Sequence, residues 1–318
     1  MSHDGRPEPQ MRNLKIVALV VSLVPLLFEL VQCFSFGVPV RDFASKALRA
    51  GSVHWVHVIA WVLMLAGLTL SYTLWLPKAT AVARKELRTY FTSPVAYVVM
   101  AAYFLIAGIL IWFMIAGTGG EASFSRMIGS FYFLLMLLTP MLTMRLFAEE
   151  KRSGTIELLM TSPVRDIEVV VGKFVAASLV VMVMLAVTFE LPIIIEVGGR
   201  PDWGPVWSGF FGLALLSLTF VAIGLLCSSF THSQIAAAGA AWGILLVLWL
   251  VNWFKQFLAT GAPLAKQFSS LAEYMSIYYA MDRFSSGTFD TAQVVYFVSV
   301  IVFALFLTTR VLETARAR

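Results

Sequence analysis

Residues 145–173 read RLFAEEKRSGTIELLMTSPVRDIEVVVGK, a run of charges and helix-stopping residues between two apolar stretches, Ile128 to Met144 and Phe174 to Ile195. Each stretch is long enough to cross a bilayer as a helix, so the charged segment reads as a loop joining two membrane spans. The rest of the chain agrees: it is 59% hydrophobic and only 13% charged, a balance that a water-soluble chain of this length does not sustain. Further apolar stretches run from Ile16 to Phe36, Trp55 to Leu76, Val95 to Ile115, Val206 to Phe230, Ile235 to Phe254 and Val294 to Thr309. None alternates as a barrel strand does, and a backbone in lipid must satisfy its own hydrogen bonds. The expectation is therefore all-α, a polytopic membrane protein of about eight transmembrane helices.

Lysine and arginine set the orientation. With the N-terminus inside, the leading tail and residues 78–88, 145–173 and 310–318 hold 15 of the 23 Lys and Arg. That excess predicts both termini in the cytosol and puts residues 145–173 there as well, although Arg41, Lys46 and Arg49 run against the trend. The basic residues border spans and form no patch interleaved with aromatics, so the net charge of +5 argues for anionic lipid and against nucleic acid. The first apolar stretch ends Cys33-Phe34-Ser35-Phe36 without small residues at a cleavage position and reads as an uncleaved anchor. Cys227, the other cysteine, lies inside an apolar run, so no disulfide framework is implied.

Local signals shape the ends of these spans. Gly154 is expected to interrupt the charged helix leaving the fourth span, and Thr155 to Met160 to form one or two turns displaying Ile156, Leu158 and Leu159. Thr161-Ser162-Pro163-Val164 then repeats Thr92-Ser93-Pro94-Val95; in both, Ser can cap a helix whose first position is Pro. Beyond the second corner, Val164, Ile167, Val171 and Phe174 follow helical spacing into the fifth span while Arg165, Asp166 and Glu168 fall off that face. This predicts a short helix held at an angle below the membrane. Such a segment is a lever, because packed helices move as near-rigid bodies and a partner gripping it tilts the attached spans. Upstream, Ala83, Leu87, Tyr90 and Phe91 form an apolar stripe among Arg84, Lys85, Glu86 and Arg88, an amphipathic helix for the inner interface. On the outer side, a capping box at Ser270 and Glu273 precedes Leu271, Tyr274, Met275, Tyr278 and Met281 at helical spacing, a second amphipathic helix expected at the outer leaflet. Asp290 with Gln293 marks the start of the last span.

Signs of chemistry are few. Glu190 lies in the fifth apolar run just before Pro192, which frees a backbone carbonyl, so Glu190 and Pro192 are the candidate lining of a substrate path. The plainer reading, that Glu190 and Glu29 reach an interface or a partner helix, competes with it. Gly108, Gly212, Gly224 and Gly243 permit close helix packing. His54 and His57 have no third ligand, so no metal site is predicted. Gly117-Thr118-Gly119-Gly120 lacks the Lys-Ser/Thr of a Walker A loop, and neither His-Glu-x-x-His nor Gly-x-Ser-x-Gly occurs. The expectation is no catalysis and no cofactor bound by this chain.

The string FAEEKRSGTIELLMTSPV, Phe147 to Val164, resembles the coupling region of ABC-2 type transporter permeases, above all the branch that includes gliding-motility and multicopper-enzyme-maturation permeases. Lys85-Glu86-Leu87 with Thr92 to Val95 is similar to that family's leading helix, and Val294 to Phe297 through Thr308 to Glu313 to its final span. The resemblance covers Thr80 to Glu313 and implies a division into a cytosolic tail, 1–15, a two-helix addition, 16–77, and a six-span permease core, 78–318. It implies a cytosolic coupling helix and an outer surface-lying or re-entrant helix before the last span. ATP would be used by a separate ABC ATPase subunit facing Glu149, Glu150, Lys151, Arg152, Thr155 and Glu157, with Ile156, Leu158 and Leu159 in its groove. One six-span core is half a transporter in that family. The resemblance thus implies a homo- or heterodimer in the bacterial cytoplasmic membrane, with room for an extracytoplasmic accessory subunit. The expected function is ATP-driven export; the alternative is a non-transporting mechanotransmitter for surface motility or outer-face signalling.

Overall fold

Apolar runs of this length close their backbone hydrogen bonds internally, and every element among the described residues is a helix. The structure, a computed structural model, describes residues 77–117, 124–157, 164–189, 192, 203–258, 277–288 and 290–316. The helices are α1 (Pro77–Thr92), α2 (Pro94–Gly117), α3 (Phe124–Thr143), α4 (Arg145–Arg152), α5 (Asp166–Thr188), α6 (Trp203–Phe230), α7 (Gln234–Leu258), α8 (Ile277–Ser285) and α9 (Thr291–Arg316). Among the described residues, six runs are long and apolar enough to cross a membrane: Pro94–Phe113, Met127–Arg152, Asp166–Thr188, Gly204–Phe230, Gln234–Val251 and Thr291–Arg316. They correspond to the last six expected spans. The two expected at Ile16 to Phe36 and Trp55 to Leu76 lie outside the described residues.

Helix α6 is apolar on every side, and it forms the centre of the bundle, with α3, α4, α5, α7, α8 and α9 against it. Two glycines on α6 admit its neighbours. A Cβ at Gly224 would lie 2.1 Å from Thr143 Oγ1, and one at Gly212 would lie 2.7 Å from Phe284 Cβ. Gly243 meets nothing within 4 Å. The outward faces of α2, α7 and α9 expose Leu105, Ile235 and Val302, the apolar surface a lipid-facing helix requires.

The first Ser-Pro corner forms as expected: α1 stops at Thr92, the Ser93 N–H closes on Thr89 O at 3.1 Å, and Pro94 opens α2. Its repeat at residues 161–163 lies outside the described residues. At the start of α9, the Ala292 N–H is held by Asp290 Oδ1 at 3.0 Å, again as expected.

Two elements differ from expectation. Helix α5 begins at Asp166, so residues 166–173 are the first turns of the span and not a separate angled helix. Their charges had marked them as loop, yet each is accommodated. The Arg165 N–H donates to Glu168 Oε2 at 2.9 Å, Asp166 pairs with Arg316 at 3.0 Å, and Lys173 is enclosed with carboxylates. The apolar face of helix α8, expected to meet the outer leaflet, is turned to the protein, with Ile277, Ala280, Met281 and Phe284 buried against it. Its exposed side carries Asp282 and Arg283, and the capping box at Ser270 lies outside the described residues.

Candidate functional site: an interrupted strut and its exposed tip

Helices α3 and α4 are one apolar run whose helix is interrupted at Met144. Pro140 inside α3 lacks an N–H and so weakens the ladder just before the break. Around the break, the carbonyls of this strut are taken by side chains from four other helices. Trp242 Nε1 of α7 donates to Leu137 O at 2.8 Å, and the Tyr90 hydroxyl of α1 donates to Leu142 O at 2.8 Å. Ser228 Oγ of α6 donates to Met144 O at 2.9 Å, and Lys173 Nζ of α5 to Leu146 O at 2.7 Å. Ser228 also accepts the N–H groups of Phe147 and Ala148, at 3.0 and 3.1 Å. A hydroxyl thus stands inside the i to i−4 ladder between Ala148 and Met144, a direct physical cause of the break between α3 and α4.

An ionic cluster surrounds this point. Lys173 is only 1% exposed, and its ammonium lies 2.8 Å from Glu86 Oε1 of α1 and 2.9 Å from Glu150 Oε1 of α4. With Leu146 O, all three ammonium donors are used. Lys85 adds a second positive charge 3.6 Å from Glu150. The Arg145 guanidinium lies over the Tyr90 ring at 4.6 Å. Burial raises the Tyr90 phenol well above its usual range, with the charge of Arg145 opposing the shift, so this hydroxyl stays a neutral donor. Glu150 Oε2 and Arg145 Nη2 are buried with no hydrogen-bond partner among the described residues. On the far side of α4, the Lys151 ammonium donates to the Ser229 carbonyl at the C-terminal end of α6, where a cation complements the helix dipole.

The strut ends at Arg152. The Ser153 N–H closes on Glu149 O at 2.9 Å, and Gly154, at φ +73°, reverses the chain as its sequence position predicts. The residues expected to face a partner divide here into two groups. Glu149, Arg152, Thr155 and Glu157 are exposed and Ile156 is half-buried, together forming a tip. Glu150 and Lys151 point inward to Lys173 and Ser229. Leu158, Leu159 and Glu190 lie outside the described residues, and Pro192 is buried.

Sequence reasoning missed the inner half of the site. It assigned Glu86 to the polar surround of an amphipathic helix and Lys173 to a loop, and it gave Ser228 no role. The available signal was Pro140 inside an apolar run with a lone Lys bordering the next one.

The model of the ABC-2 family transporter protein family matches residues 120–315, more than half of the chain. This chain belongs to the ABC-2 transporter family. Among curated proteins none matches it. Membership, with six helices of spanning length and composition, makes it a multi-pass membrane protein of the permease type and implies an ABC ATPase as partner. The strut, Lys173 and Ser228 fall inside the matched region of this permease, whereas Glu86 and Tyr90 precede it.

Proposed function

We propose that this chain is the membrane-spanning subunit of an ATP-driven ABC-2 exporter, and that its tip at Glu149, Arg152, Thr155, Ile156 and Glu157 docks the nucleotide-binding subunit on the cytosolic side. The observation that carries the reading is the exposed tip, reversed at Gly154, at the end of a strut bracketed by four other helices. A tip of mixed charge around one aliphatic side chain suits a groove with a polar rim. Closure of two ATPase subunits would push the tip, and the strut would rock the spans of two permease halves between inward and outward openings. Catalysis stays with the ATPase, and no cofactor is assigned to this chain. Residues 78–318 would form the permease core behind a cytosolic tail, 1–15, and a two-helix addition, 16–77. Glu190 and Pro192 remain the candidates for the substrate path.

The test uses the full chain in proteoliposomes with its nucleotide-binding subunit. Ile156→Asp is expected to weaken capture of that subunit by about tenfold or more, ~1.4 kcal/mol, because a carboxylate would be desolvated at the contact. Stimulated ATP hydrolysis should fall in parallel. Unchanged capture together with unchanged hydrolysis would remove the tip from the mechanism. The likeness of Phe147 to Val164 to gliding-motility permeases supports a second reading, a mechanotransmitter with the same tip and no cargo; ATP-dependent flux into vesicles separates the two.

A further inference from the structure

Lys173 stands where three helices meet, and its three protons go to Glu86 on α1 and to Leu146 O and Glu150 on α4. Leu146 and Glu150 are related as i and i+4, so the ammonium grips α4 across a full turn and fixes its rotation as well as its position. One residue earlier, a Cβ at Gly172 would lie 2.7 Å from Ala79 O and 2.8 Å from Val82 Cβ, so the glycine lets α1 lie directly against α5. The covalent link from α4 to α5 is the tip segment itself, residues 153–165. A push on the tip would bend that segment unless something stiffer joined the two helices.

We infer that Lys173 is a positioning residue that makes α1, α4 and α5 move as one body, so that displacement of the tip reaches the spans. The inference rests on the docking reading of the tip, although the rigidity it assigns belongs to this chain alone. Two carboxylates share one enclosed ammonium, and a charge left alone there is costly, so the ties hold or fail together.

Two readouts test this. Spin labels at Arg88→Cys on α1 and Ser153→Cys at the end of α4, in the full chain with Cys33→Ser and Cys227→Ala, report the α1 to α4 distance. Lys173→Met should roughly double the width of that distance distribution, and Lys173→Arg, which keeps the charge, should recover most of it. With the nucleotide-binding subunit added, Lys173→Met should keep its capture and lose about tenfold in stimulated ATP turnover. Because a lone Lys173→Met leaves two uncompensated carboxylates, the neutral triple variant Glu86→Gln, Glu150→Gln, Lys173→Met guards against simple misfolding. It should fold, yet keep the broad distribution and the low turnover. Wild-type width and turnover in the triple variant would reduce Lys173 to a structural residue and overturn the inference, as would an unchanged width in Lys173→Met. If Ile156→Asp leaves docking intact, the docking reading fails, while the spin-label distances still decide whether Lys173 ties α1 to α4.

Discussion

Helix α6 carries a short helix at each of its ends, and the two are held by opposite kinds of force. At its C-terminal end, α4 is fixed by directional polar contacts: the Ser228 hydroxyl inside its ladder, Lys151 on the Ser229 carbonyl, and the ammonium of Lys173. At its N-terminal end, α8 is fixed by shape. Phe284 fills the space left by Gly212, its ring centroid 6.0 Å from that of Phe211 and 6.4 Å from that of Phe297, and Ser208 Oγ donates to Phe284 O at 2.6 Å. Dense apolar packing has one good arrangement and resists displacement. Satisfied hydrogen bonds and ion pairs instead fix orientation through a few directional contacts. Under the proposed docking of the tip, the contrast makes α8 the anchor and α4, tied by Lys173 to α1 and α5, the part that moves with them.

The largest effect is expected at the anchor. Phe284→Ala removes a fully buried ring and should cost about 3–5 kcal/mol, read as a drop in the unfolding midpoint of the purified chain in detergent. A loss under ~1 kcal/mol would mean that α8 is only laid against α6 and that the contrast between the two ends is false. At α4, Ser228→Ala strands two N–H groups and one carbonyl at the break, for an expected loss of about 1–3 kcal/mol. Its diagnostic sign is functional: stimulated ATP turnover should fall more than the midpoint does, whereas Phe284→Ala should show the reverse.

How much of this was legible beforehand follows from which signals are local. Six spans, the Ser93-Pro94 corner, the Asp290 start and the reversal at Gly154 all appear where hydropathy and turn chemistry put them. The start of α5 did not, because a charge count near a span reads Lys173 as a boundary. Only the neighbouring helices reveal that Glu86 and Glu150 enclose it. The same holds for Ser228, an ordinary hydroxyl in an apolar run until the open ladder at Met144 lies beside it. For α8, apolar spacing showed that one face must be buried, but it does not distinguish lipid from protein as the burying phase. Gly212, with no Cβ to keep Phe284 away, decided that choice.

The smallest expected effect isolates the geometry of the joint from its packing. Gly154 has a positive φ of +73°, yet nothing lies within 4 Å of where its Cβ would be, so Gly154→Ala meets no steric obstacle and strains the backbone alone. The cost should be about 1 kcal/mol, which is roughly a factor of five in a binding equilibrium. It should fall on whichever state needs the left-handed turn. If the turn presents the tip, Gly154→Ala weakens capture of the nucleotide-binding subunit with the detergent midpoint almost unmoved, and Gly154→Asn, which tolerates that region of φ better, restores most of it. An equal loss for Ala and Asn would assign the effect to the side chain and not to the turn. No effect from either would mean that the tip binds in another backbone conformation, and the joint would then end at Arg152.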